Sequence, residues 1–151
     1  MREETIVYKI YKFSELSDEA KQNALEKYWD WNVSDEFWYE YFFDEAKGLG
    51  FEITSFDLNH HTIEIKLNNS PAWICKKIIK DHGETCDTYK LAKTYLEKHD
   101  DDPEWDDFQR ELGHTYSGLL LKHYEYLTSE EAIIESIEAN EVEFHEDGRI
   151  Y

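Results

Sequence analysis

The side chains of this chain best suited to nucleophilic, acid-base or metal chemistry are two cysteines and seven histidines. A catalytic thiol needs a base beside it and an environment that favours the thiolate. Neither Cys75 nor Cys86 sits in a nucleophile motif, and Cys75 falls beside the apolar face of an expected helix, where a free thiol acts as a small buried hydrophobe. A zinc site needs close pairs of Cys or His. The nearest candidates are His60-His61 with His82 and Cys86, but neither C-x-x-C nor H-E-x-x-H occurs, and adjacent histidines in a turn point apart. Gly48-Leu49-Gly50 lies between a helix and a strand, the reverse of the order that cradles phosphate, and reads as a helix stop. The expectation is therefore no enzyme, no metal and no cofactor. An enzymatic reading would have to rest on Cys75, Cys86 or His123.

Carboxylates are the abundant reactive group, with 35 acidic against 16 basic side chains and a net charge of -19. Such a field repels nucleic-acid phosphates and anionic lipid, so direct nucleic-acid binding and membrane association are not expected. The acids are unevenly placed, because residues 99–151 hold 16 of them against 3 basic residues. Helical spacing puts Glu104, Asp107 and Glu111 on one face and Glu131, Glu135 and Glu138 on another, while Glu19 and Glu26 line an earlier helix. Neighbouring acids in such a stripe stand roughly 5–6 Å apart. Two readings follow: a solvated face that keeps the protein soluble, or an imitation of a phosphate backbone that occupies a basic groove.

Aromatic residues crowd one stretch, with Trp29, Trp31, Phe37, Trp38, Tyr39, Tyr41, Phe42 and Phe43 close together. One helix cannot bury them all. Trp38, Tyr41 and Phe42 share the expected core face with Ala46 and Leu49, which leaves Tyr39 and Phe43 as a candidate exposed anchor for a partner. Lys76, Lys77 and Lys80 on the outside of a later helix open an alternative, a small-ligand binder that sequesters a nucleotide signal in an aromatic pocket.

The elements that position these groups can be read in order. Thr5 to Phe13 is β-branched and aromatic and predicts a first strand. Ser17 caps a helix ending near Trp31-Asn32, and Ser34 caps a second that stops at Gly48 to Gly50. Phe51 to Leu58 and Thr62 to Leu67 alternate as a hairpin around Asn59-His60-His61. Ser70-Pro71 opens a third helix with Ile74, Ile78 and Ile79 inward, and Thr85 to Lys98 forms a fourth. A long fifth helix starts at Pro103, with Trp105, Phe108, Leu112, Leu119, His123 and Tyr126 on one face and Gly113 and Gly118 as possible bends. Thr128 and Glu131 form a capping box for the last helix, and Val142 and Phe144 lead into a closing strand before an Asp147-Gly148 turn. The fold class is α+β, a small, mostly antiparallel sheet against five to six helices.

At 151 residues, 40% apolar and 16% aromatic, the chain is expected to form a single domain over 1–151. Met1 to Glu4 lead straight into the first expected strand, no long apolar run occurs, and two reduced core cysteines fit a cytoplasmic location in a bacterial host cell. The run Tyr11-Lys12-Phe13-Ser14-Glu15-Leu16-Ser17-Asp18-Glu19-Ala20-Lys21 resembles the opening of small phage and prophage proteins described as antitoxins of toxin–antitoxin stability systems. The tail Ile137-Glu138-Ala139-Asn140-Glu141-Val142-Glu143-Phe144, followed by Asp147-Gly148, resembles their ending. Where many members carry a glycine-rich middle segment, this chain has Ile63 to Ser70. The resemblance implies a non-enzymatic binding role in a mobile element. The expected function is neutralisation of a host or toxin protein with a basic surface, for instance a bacterial defence nuclease, by the acidic helices of residues 99–147 acting as a nucleic-acid decoy.

Overall fold

The computed structural model describes residues 1–98 and 105–151, so the expected helix start at Pro103 lies outside the described residues. The described chain runs β1 (Tyr11–Lys12), α1 (Asp18–Lys27), α2 (Phe37–Leu49), β2 (Phe51–Asp57), β3 (Thr62–Leu67), α3 (Pro71–Asp81), α4 (Asp87–Lys98), α5 (Trp105–Leu127), α6 (Glu130–Ala139) and β4 (Glu143–Phe144). The fold is α+β. Its strands form two separate antiparallel pairs, β1 with β4 and β2 with β3. The chain divides into two compact units, residues 1–35 with 124–151, and residues 36–123. The boundary between them falls within α5. No helix among the described residues is long and apolar enough to cross a membrane.

In the unit of residues 36–123, Gly50 ends α2 in the left-handed region (φ +98°). That conformation, open to glycine without a Cβ penalty, turns the chain directly into β2. The β2–β3 register sets Phe51 against Leu67 and Ile53 against Ile65, with an irregularity between Ile53 and Ser55. Ile65 is buried and Ile63 and Leu67 half-buried, while Thr62, Glu64 and Lys66 are exposed, which is the alternation read from the sequence. Ser70 Oγ accepts from the Trp73 N–H at 3.2 Å and Pro71 fills the first position of α3, also as expected. Ile74, Cys75 and Ile78 then join Phe51, Ala92, Phe108, Leu112 and Tyr116 in one core.

The long helix α5 differs from its expected form in two ways. Its buried stripe is Phe108, Leu112, Gly113, Tyr116 and Leu120, while Trp105 and Tyr126 are about half-exposed. It also runs unbroken through Gly113 and Gly118. Gly113 is buried against the hairpin, and a Cβ there would lie 3.1 Å from Ile63 Cγ2. The glycine is thus used for a close helix–strand approach rather than a bend.

In the unit of residues 1–35 and 124–151, Phe13, Leu16, Ala20, Ala24, Leu25, Ile133, Ile137 and Phe144 form the core. Ser17 caps α1 as expected, its Oγ accepting from Ala20 N–H at 3.1 Å, but α1 ends at Lys27 and Trp31–Val33 forms a separate 3₁₀ turn. Ser34 does not cap α2; its hydroxyl donates to the Trp31 carbonyl at 3.4 Å. The cap of α6 lies one residue later than expected: Ser129 Oγ accepts from Ala132 N–H at 3.3 Å, whereas the Thr128 hydroxyl turns back to the Tyr124 carbonyl at 2.9 Å. The first strand is far shorter than Thr5 to Phe13. β1 has only Phe144 and Glu143 to pair with, because the chain turns at His145, where Gly148 N–H reaches the His145 carbonyl.

Candidate functional site

The two expected acidic stripes fare differently. Glu104 lies outside the described residues. Asp107 is held by Arg110 at 3.1 Å, a surface pair that cancels part of its charge. Burial first, then Asp107 and Glu111, raise the pKa of Tyr95, so these carboxylates act on the phenol of α4. On α6 the geometry is cleaner. Glu131, Glu135 and Glu138 are all exposed, opposite the buried Ile133 and Ile137, and none of the three joins an ion pair with another described residue. Tyr126 lends its hydroxyl to Glu135 Oε2 at 3.5 Å.

The aromatic stretch is arranged by the hairpin. Phe56 of β2 meets the rings of Trp38, Tyr39 and Phe43 at 5.1–6.0 Å. This contact rotates the covered face of α2, so Tyr39 and Phe43, read from the sequence as lying off the core stripe, are half-buried, and Tyr41, read as core, is 68% exposed. Trp38 and Phe42 lie on His123. Tyr39 and Phe43 still reach the surface, where they line a hollow of about 290 Å³ with Glu36, Glu40, Asp44 and Lys47. Two aromatic rings with three carboxylates against one lysine, Lys47, at the rim suit an ammonium or guanidinium group, which gains from both the rings and the net negative charge.

A second polar cluster joins residues with no sequence pattern in common. His82 Nε2 lies 2.8 Å from Glu45 Oε1, with side chains only 12% and 21% exposed. Its Nδ1 meets the hydroxyl of Thr88, which is itself 2% exposed. Beside them Tyr116 is fully buried, and its hydroxyl makes no well-formed hydrogen bond among the described residues, only a weak approach to the Glu45 carboxylate. Burial, reinforced by the Glu45 carboxylate, pushes that phenol well above the usual tyrosine range. With both ring nitrogens engaged, His82 ties α2 to α4; the carboxylate–imidazole–hydroxyl series has the order of a catalytic triad, but its hydroxyl, Thr88, is buried away from any substrate. Glu45, Lys77, Asp81 and Tyr41 line a cleft of about 390 Å³ at this edge.

The remaining chemical candidates fall apart in space. Cys75 is buried and its thiol is pushed up to about 12, so it stays protonated and unreactive. Cys86, expected in the core, is exposed, because it precedes α4 rather than lying on its buried face. His60 pairs with Asp57 at 2.7 Å within the hairpin turn, which holds the Asp57 carboxyl below its usual range. Among the described residues no group of three or more His, Cys, Asp or Glu is placed to hold a metal ion. Lys77 is paired to Asp81 at 3.3 Å, and Lys76 and Lys80 are exposed. A hollow of about 650 Å³ between β3 and α5 is lined by His61, Glu64, Asp106, Arg110 and His114 among others, with no Trp, Tyr or Phe on which a base would stack.

No protein-family model, no curated protein and no solved structure matches this chain.

Proposed function

We propose that this chain is a binding protein that occupies a basic surface on another protein, without catalysis. The observation that carries this reading is the hollow on α2, where Tyr39 and Phe43 lie among Glu36, Glu40 and Asp44. It offers a lysine or arginine of the partner both an aromatic wall and carboxylates. The exposed face of Glu131, Glu135 and Glu138 supplies further negative charge, and the net charge of -19 steers a basic partner from a distance. In the setting implied by the antitoxin-like ends of the chain, the target is a host or toxin protein whose basic groove normally holds nucleic acid. The chain then acts as a decoy that excludes that ligand, in the cytoplasm of a bacterial host. A defence nuclease is one such target.

Capture from bacterial lysate at low and high salt, with the retained proteins identified by mass spectrometry, tests the reading. Basic, nucleic-acid-binding proteins should be retained at low salt, released at high salt and lost with the triple variant E36K/E40K/D44K. Capture that is indifferent to salt and to charge reversal on both α2 and α6 would sink it. The sequestration of a nucleotide is less well supported, because Lys76 and Lys80 line neither the hollow between β3 and α5 nor the cleft beside Tyr41, and Lys77 at that cleft is paired with Asp81. A melting temperature raised by cyclic nucleotides would revive it.

A further inference from the structure

Residues 5–10 read Thr-Ile-Val-Tyr-Lys-Ile, a strongly β-favouring run, yet they pair with no strand among the described residues. Ile6, Val7, Tyr8 and Ile10 are 70, 83, 60 and 42% exposed, the densest run of bare apolar side chains in the described chain. The run continues directly into β1, and the edge of Tyr8 rests on Tyr151 with ring centroids 6.3 Å apart. Its own sheet does not extend to pair with it, because β4 ends at Phe144 and the turn of His145 to Arg149 only lines a hollow beside Val7, Tyr8 and Lys9. An unpaired strand of this kind is a template for another chain.

We propose that residues 2–10 form an antiparallel strand pair with the same residues of a second copy of this chain, with Ile6 opposite Ile6 of the partner subunit. The period-two pattern places Ile6, Tyr8 and Ile10 on one face and Thr5, Val7 and Lys9 on the other. Only a register centred on a residue keeps each face intact across a two-fold axis. Centred on Ile6, the pairing sets Lys9 opposite Glu3 of the partner subunit, twice by symmetry, and Thr5 opposite Val7 of the partner subunit. Centred on Val7, it would set Ile10 opposite Glu4 of the partner subunit and leave Lys9 facing a threonine. Of these two registers charge complementarity selects Ile6, which also sets Ile10 opposite Arg2 of the partner subunit and Tyr8 opposite Glu4 of the partner subunit. Residues 1–12 carry three basic and two acidic side chains, so this arm is the stretch where two otherwise acidic copies approach with least repulsion.

Two copies of charge -19 repel elsewhere, so screening by salt strengthens this association, opposite to the salt response of the basic-partner contact on α2. The two readings thus fail independently. Sedimentation equilibrium of the full chain at up to about 0.1 mM is the test. A monomer–dimer equilibrium is expected that tightens from low to moderate salt. K9E should raise the dissociation constant about tenfold or more, by opposing Glu3 of the partner subunit, and the swap E3K/K9E should restore it. In a C86S background, I6C should cross-link to itself under mild oxidation well ahead of V7C, because only position 6 lies on the two-fold. Since these side chains are exposed, unchanged melting temperatures confirm that the variants fold. A protein that is monomeric at that concentration, a dimer that ignores K9E, or one that survives removal of residues 1–8 would overturn the proposal.

Discussion

The imidazole of His82 lies between the carboxylate of Glu45 and the hydroxyl of Thr88, 2.8 Å from Glu45 Oε1, and so fastens the middle of α2 to the first turn of α4. Both side chains are less than a quarter exposed, so solvent screens little of the contact. Replacing His82 with alanine leaves a largely buried carboxylate and a buried hydroxyl without partners. A loss of about 2–4 kcal/mol in unfolding free energy is expected from urea denaturation. The double variant E45Q/H82Q should recover part of it, and additive single effects would show that the two residues do not interact.

Tyr116 gives a change of opposite sign. Its hydroxyl is buried and makes no well-formed hydrogen bond among the described residues, only a weak approach to the Glu45 carboxylate, so Y116F removes a desolvated polar atom and keeps the ring against Phe51. Stability should be equal or higher, by up to about 1–2 kcal/mol. The pH response follows from the raised phenol pKa. A raised folded value means that the stabilising term is fully present below the unfolded tyrosine pKa and is lost as pH rises above it, through the folded value. Melting curves above pH 10 should fall less steeply for Y116F than for the parent protein. An identical alkaline decline would exclude Tyr116 as the cause.

The two glycines of α5 separate packing from propensity. At Gly118 an added Cβ meets nothing within 4 Å, so G118A should stabilise the helix by about 0.5–1 kcal/mol. At Gly113 the same atom meets Ile63 at 3.1 Å, and a larger side chain must push α5 off the hairpin. G113V is expected to cost about 1–3 kcal/mol, read as a lower urea midpoint. Equal effects at the two sites would mean that α5 is not seated on β3.

The hollow on α2 predicts a localised response to a cation. Titrating an arginine-rich peptide should shift the NMR signals of Tyr39 and Phe43 before those of the exposed Tyr41, and E40K/D44K should weaken this binding about tenfold or more. Shifts spread evenly over the surface would reduce the interaction to bulk charge.

Asp57 offers an acid-side readout. Its carboxyl is held low first by the hydrogen bond with the His60 side chain and then by the His60 backbone. The associated stabilisation is present above the unfolded carboxylate pKa and is lost as pH falls through the lower folded value, so the Asp57 carbon resonance should titrate below the ordinary aspartate value of 3.8. H60A should move that midpoint up.

What the sequence by itself determined was local. Ser17 with its acidic first turn, Ser70-Pro71, and the Ile63-Ile65-Leu67 alternation each act within a few residues, where capping and strand period decide the outcome, and each stands as read. Tertiary contacts decided the rest. Phe56 of the hairpin chose which ring faces of α2 are covered, so the exposed aromatics became Phe37 and Tyr41. The turn at His145 to Gly148 decided that β1 holds two residues although Thr5 to Phe13 all favour a strand, because a strand needs a neighbour and propensity supplies none. The Glu45–His82–Thr88 cluster was invisible for the same reason: 43 positions separate its ends, no periodicity links them, and only the packing of α2, α3 and α4 brings the groups within hydrogen-bond reach.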